Sequence, residues 1–192
     1  IYETGEMNQV TWLNDYSGRD MDMTGYLAAV GGNYFIPAGD MDIELHGQFV
    51  YATGDDPTTL DEYEGFIAPT GASYYWAEVL GYGRNDFIDY GWQNATYLYD
   101  GDGSNNEMSN GMGYINNQMI FGLGASSYVS PKIQTGLDLW YVMLAEENLD
   151  GNDDVGIEVD AFVTYELVDE CFLTLVGGYV FTGDAIYAGP EQ

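Results

Sequence analysis

The sequence carries 32 Asp and Glu against three Lys and Arg and a single His, for a formal net charge of −29 over 192 residues. Any chemistry it performs therefore rests on carboxylate oxygens. Two stretches space such oxygens as a hard cation requires. Asp100, Asp102 and Ser104 alternate with glycines and run on into Asn105, Asn106 and Glu107, and Asp150, Asn152 and Asp154 repeat the alternation around Gly151 and Asp153. Oxygens at alternate positions of a turn can converge on one calcium ion, so these six residues are the candidate metal ligands. Neither stretch is an EF-hand: the sixth position is Asn105 or Val155 instead of glycine, and no Glu follows at the twelfth. The competing reading is ordinary Asp-Gly and Asn-Gly turn chemistry. Calcium is the one cofactor the sequence offers, and nothing in it requires a cofactor.

A third acidic set lies in the long segment 54–118. It holds Asp55, Asp56, Asp61, Glu62, Glu64, Glu78, Asp86 and Asp89, with Arg84 as the segment's cation. Carboxylates ringed around a narrow aqueous passage focus a negative potential and favour cations. Arg84 opposite them sets up a transverse field or locks one loop carboxylate. The alternative is a solvated acidic surface loop.

No motif in the chain points to catalysis. His46 lies on the polar side of an alternating stretch, and Cys171 follows a turn with no histidine near it in sequence. Asn94-Ala95-Thr96 matches a glycosylation sequon. Phosphate loops, zinc spacings, serine elbows and dinucleotide motifs are all missing from the sequence. Carboxylates are too abundant for any one pair to stand out as a glycosidase acid and nucleophile. The expectation is a protein that is not an enzyme.

Charge and composition exclude further classes. A chain this acidic repels phosphate backbones, which argues against nucleic-acid partners. It also lacks the basic clusters that hold peripheral proteins on anionic lipid. Acidic disordered chains are poor in aromatics, whereas 16 % of this one is Phe, Trp or Tyr, so it folds. Its length fits one domain, 1–192. The chain opens at Ile1 without a Met, which raises the expectation of a mature or truncated product.

The elements that must position these groups are strands. From Met41 to Thr53 one face holds Met41, Ile43, Leu45, Gly47, Phe49 and Tyr51, and the other Asp42, Glu44, His46, Gln48 and Val50. Val155–Leu167 and Ile133–Ala145 alternate in the same way, with Asp138, Glu158 and Asp160 on the polar parity. Together with Met23–Phe35, Met119–Val129 and Cys171–Thr182, these predict roughly six strands of about 11–13 residues, near the ~9–11 of a tilted membrane strand. Three tight turns, Ile36 to Asp40, Ser130 to Lys132 and Val168 to Glu170, alternate with longer acidic connections. That layout predicts an all-β antiparallel meander, with short turns at one end and long loops at the other, forming a transmembrane β-barrel or part of one. Aromatics gather near strand ends, at Tyr34 and Phe35, Phe49 and Tyr51, Trp140 and Tyr141, and Tyr179 and Phe181. This is the pattern of interfacial girdles, or alternatively of rings filling a soluble core.

The run Phe49-Val50-Tyr51-Ala52-Thr53-Gly54-Asp55-Asp56-Pro57 ends a strand and opens a loop. It continues through Glu64-Gly65-Phe66 to Gly71-Ala72-Ser73-Tyr74-Tyr75-Trp76-Ala77-Glu78. Leu137-Asp138-Leu139-Trp140-Tyr141, Gly156-Ile157-Glu158-Val159-Asp160 and Gly178-Tyr179-Val180-Phe181-Thr182-Gly183-Asp184-Ala185 follow. From about Met23 to Ala185, the chain resembles the C-terminal half of outer-membrane porins from sulfate-reducing and related bacteria, a family of homotrimeric β-barrels. The resemblance implies a location in a bacterial outer membrane, a trimer, and a long loop, 54–118, folded inward to constrict a pore. It places Asp55, Asp56, Glu64, Glu78, Arg84, Asp86 and Asp89 at that constriction. Asp42, Glu44, His46, Asp138, Glu158 and Asp160 would face a water-filled lumen, because a charge facing lipid near the midplane costs a few kcal/mol. Such barrels carry about 16 or more strands and close on a terminal aromatic. This chain ends in Ala188-Gly189-Pro190-Glu191-Gln192, so further strands or further subunits are expected to complete the wall.

The expected function is passive diffusion of small hydrophilic solutes across a lipid bilayer, with cations favoured. A rival reading is a secreted or cell-surface structural β-protein that assembles through its sheet edges, linked by calcium. A third is a carbohydrate-binding or hydrolytic β-sandwich with Trp76, Trp92 or Trp140 lining an open groove.

Overall fold

The computed structural model describes residues 1–10, 19–39, 41–56, 62–66, 77–80, 117–147 and 151–185. Their strands are β1 (Tyr2–Val10), β2 (Arg19–Ala38), β3 (Met41–Ala52), β4 (Glu62–Tyr63), β5 (Gln118–Ser130), β6 (Ile133–Met143), β7 (Asp154–Val168) and β8 (Cys171–Thr182). They form one sheet in the order β1-β2-β3-β5-β6-β7-β8, each strand antiparallel to its neighbours. The two-residue β4 pairs parallel to β2 at Asp22 and Met23, beyond the point where β3 ends. The antiparallel up-and-down meander is thus present. No helix among the described residues is long and apolar enough to cross a membrane.

Every tight turn is shorter than its expected segment. β2 runs on through Pro37 and Ala38, β7 through Val168, and β8 begins at Cys171. Gly39 and Glu170 turn the chain with positive φ, 71° and 65°. Alternation in the sequence starts only at Met23, yet β2 begins at Arg19 and pairs from there with an additional strand, β1. β1 covers β2 up to Tyr26, and β3 takes over from Leu27 to Ala38.

The register aligns like with like. Val30, Phe49, Phe121, Tyr141, Ile157 and Phe181 form one row across β2, β3, β5, β6, β7 and β8. The next row is Gly32, Gly47, Leu123, Leu139, Val159 and Tyr179. This face carries no Asp, Glu, Lys, Arg or His between Tyr26 and Ala38 of β2, nor anywhere along β3, β5, β6 or β8. It is nonetheless open: Leu123, Leu137, Leu175 and Tyr179 are among its exposed side chains. Phe49 and Phe121 meet with ring centroids 4.8 Å apart, and Phe121 stacks on Tyr141 at 6.2 Å. Trp140 departs from the expected aromatic belt. Neighbouring residues of a strand point to opposite faces, so Tyr141 joins this ladder while Trp140 turns to the other side and is buried.

The hydrophobic core sits on the opposite face, at the end where the long connections emerge. Val50, Ala52, Ile120, Val142, Leu144 and Val155 pack there with Trp140. Phe66 and Ala77, from the connection between β3 and β5, and Ala185, beyond β8, cover them.

Candidate functional site

Strand parity brings every expected lumen-facing residue to one face. The row His46, Gly124, Asp138, Asp160, Gly178 runs across β3, β5, β6, β7 and β8. Asp42 and Glu44 lie on β3 toward the tight turns, and Glu158 lies toward the loops. Asp42 is exposed, while Glu44, His46 and Asp138 are half-buried. Asn33 donates to Glu44 from the adjacent strand β2.

His46 Nε2 and Asp138 Oδ1 are 2.5 Å apart, although 92 residues separate them in the chain. The strand between them contributes Gly124, and a Cβ there would collide with both side chains. The imidazole and carboxylate therefore meet directly over bare backbone, and they form an ion pair whenever the ring is protonated.

Glu158 and Asp160 share the expected face but not the expected surroundings. Both were expected to face water, and both are covered, with exposures of 0 % and 3 %. Residues 77–80 of the β3–β5 connection lie over them and donate main-chain hydrogen bonds. Glu78 N reaches Asp160 Oδ2 at 3.1 Å, Val79 N reaches Glu158 Oε1 at 2.5 Å, and Leu80 N reaches Glu158 Oε2 at 2.6 Å. Three successive amides thus grip two carboxylates of one strand. Burying such charges is costly unless they are hydrogen-bonded, and these amides satisfy that condition. Asp160 Oδ2 also accepts from Trp140 Nε1 at 3.0 Å. Asp160 Oδ1 has no hydrogen-bond partner among the described residues. It approaches Gly178 on β8, where a Cβ would collide with it and lie 3.1 Å from Glu158 Oε1 and 3.0 Å from Val79 Cγ2.

Trp140→Phe keeps most of the ring but removes the indole donor from a buried carboxylate. It is expected to cost about 1–3 kcal/mol of stability, read as a lower denaturant midpoint. An unchanged midpoint would mean that the indole bond carries no weight.

The same connection is tied down at both ends. Thr53 O accepts from Phe66 N and Asn117 N at 3.0 and 3.1 Å. Asn117 adopts φ 51°, a left-handed conformation that Asn tolerates better than most residues. Its side chain bridges to the β6–β7 connection: Nδ2 donates to Glu146 O at 3.1 Å, and Oδ1 accepts from Glu146 N at 2.7 Å. Asp55 Oδ1 accepts from Glu64 N at 3.0 Å, so these two constriction candidates shape the loop locally. Glu78 joins the Asp160 cluster through its backbone. Arg84, Asp86 and Asp89 lie outside the described residues, as do Asp100, Asp102, Ser104 and Asp150 of the calcium candidates. Asn152 and Asp154 are half-buried. Among the described residues no three His, Cys, Asp or Glu side chains converge as a metal-ligating group.

Sequence reasoning missed Trp140 as a partner of Asp160 and Asn117 as the staple of the loop. The available signal was glycine: a Cβ at Gly122 would collide with the Trp140 ring, and one at Gly54 with the Asn117 side chain. No family model matches this chain. No curated protein matches it either.

Proposed function

We propose that this chain is a wall of an outer-membrane porin-type channel, which passes small hydrophilic solutes passively and favours cations. One observation carries the reading: an exposed, uncharged apolar face backed by a face that holds the acidic groups and a folded-in connection. Water gives no reason for so broad an apolar face to remain open, whereas lipid does. From Met41 to Tyr51 the apolar parity of β3 spans ten residue steps. At about 3.3 Å each and a tilt of about 40°, this is about 25 Å across the bilayer, the height of a barrel's apolar band. Beyond that band charge returns on the same face, at Glu6 of β1 and its partner Asp22 of β2.

In this reading the opposite face lines the water-filled passage. Asp42, Glu44, His46 and Asp138 supply its field, and residues 62–66 and 77–80 narrow its loop end. Calcium at the acidic loops, a trimeric assembly and an outer-membrane location belong to the same proposal. Planar-bilayer recording across a salt gradient tests it. The expected result is steady conductance with a reversal potential of cation sign, and anion preference or no conductance overturns it.

One observation favours the rival reading of a surface protein assembling edge to edge. β8 contains no charged residue and is exposed along nearly its whole length, without the charges or prolines that usually protect an edge. Under that reading calcium chelation dissolves an assembly, which a barrel would survive.

A further inference from the structure

We propose that Glu158 and Asp160 are positioning residues, a clip that holds residues 78–80 on the sheet and so sets the width of the passage, while Asp42, Glu44 and Asp138 set its ion preference. This rests on the pore reading above. The clip engages three consecutive main-chain amides. It therefore depends on the two carboxylates and not on the side chains of Glu78, Val79 and Leu80. Glu158 uses both of its oxygens, at 2.5 and 2.6 Å. A glutamine offers only one acceptor oxygen, and its NH2 group, a donor, cannot accept from the second main-chain N–H. Gly178 provides the clearance in which the Asp160 and Glu158 oxygens and Val79 meet.

The two roles separate because the two groups of carboxylates differ in their contact with water. Glu158 and Asp160 are buried under donors, so oriented amide dipoles offset their charge locally. Asp42 is exposed, and Glu44 and Asp138 are half-buried, so their charges act directly on ions in the passage.

The test combines hydrogen–deuterium exchange with single-channel recording, on the full chain in liposomes. Two variants open the clip in different ways: E158Q/D160A removes acceptors, and G178A wedges a methyl group between Asp160 and Val79. In both, the amides of residues 78–80 are expected to exchange at least about tenfold faster. Retained protection of β5, β6 and β7 in the same data reports that the sheet is folded. Conductance is expected to rise with the cation-sign reversal potential kept. D42N/E44Q/D138N is expected to do the reverse, moving the reversal potential toward zero without changing exchange at 78–80. Native-like exchange of those amides in both clip variants overturns the clip, even if the protein conducts. Faster exchange without conductance in any preparation overturns the pore reading instead, and with it the functional half of the proposal.

Discussion

Arginine at both Leu123 and Leu139 is expected to abolish stable insertion into lipid vesicles, read as loss of co-flotation with vesicles after refolding. The two leucines are cross-strand partners on β5 and β6. They lie in the row between Gly47 of β3 and Val159 of β7, well inside the uncharged band. Their exposures, 65 % and 47 %, decide the argument: neither is needed to fill a protein core, so the cost of a charge reports the surrounding solvent. An arginine near the bilayer midplane costs about 2–4 kcal/mol. Two of them, at about 1.4 kcal/mol per tenfold, shift the partition by roughly a thousandfold or more. In water the same exposed substitutions would change stability by only about 0.5 kcal/mol and would improve solubility. A variant that floats like the native protein would therefore remove lipid from the apolar face and leave the edge-assembled reading in its place.

The second large effect is expected from Gly156→Ala, at the loop end of β7. Gly156 has φ 135°, a backbone conformation that L side chains rarely adopt. A Cβ there would collide with the main-chain oxygen of Phe181 and lie 3.0 Å from Gly183 N. Both neighbours are backbone, so neither can rotate away. Strain at such a φ costs about 1–3 kcal/mol and overpacking adds a similar amount, which puts the loss at about 3 kcal/mol. The damage should be local. Gly183 N bonds Val155 O at 2.9 Å and Ala185 N bonds Asp154 O at 2.8 Å, and these contacts secure the end of β8 to β7. β7 is the neighbour to which β8 pairs among the described residues. Exchange protection should fall across Cys171–Thr182 and persist in β5 and β6. Uniform protection equal to that of the native protein would show that the turn accommodates the methyl group.

The fold was largely legible because its signal is local. A strand buries or exposes alternate residues, so Met41–Ala52 and Ile133–Met143 could be placed from parity within each segment alone. β1 and the first part of β2 were not, because the paired residues Glu6 and Asp22 interrupt the apolar parity there. Those residues pair beyond the apolar band, where alternation no longer tracks burial. The site was legible only by face. Parity put Glu158 and Asp160 beside Asp138, but burial under residues 77–80 depends on a connection that returns from about 80 positions upstream. No local pattern encodes that return, since its hydrogen bonds come from main-chain amides that every residue carries.

By itself, then, the sequence determined the all-β meander, the two faces and the side on which the negative charge gathers. These follow from a period of two and from the unequal transfer of charged and apolar groups out of water. Tertiary structure alone decided which carboxylates remain in contact with water and which are locked beneath residues 77–80. It also decided that His46 meets Asp138 across Gly124, and that Trp140 turns inward while Tyr141 stays on the apolar face. The physical reason is that a charge's environment is set by its neighbours across strands and loops. Those neighbours are fixed by register and by where the chain returns, not by spacing along it.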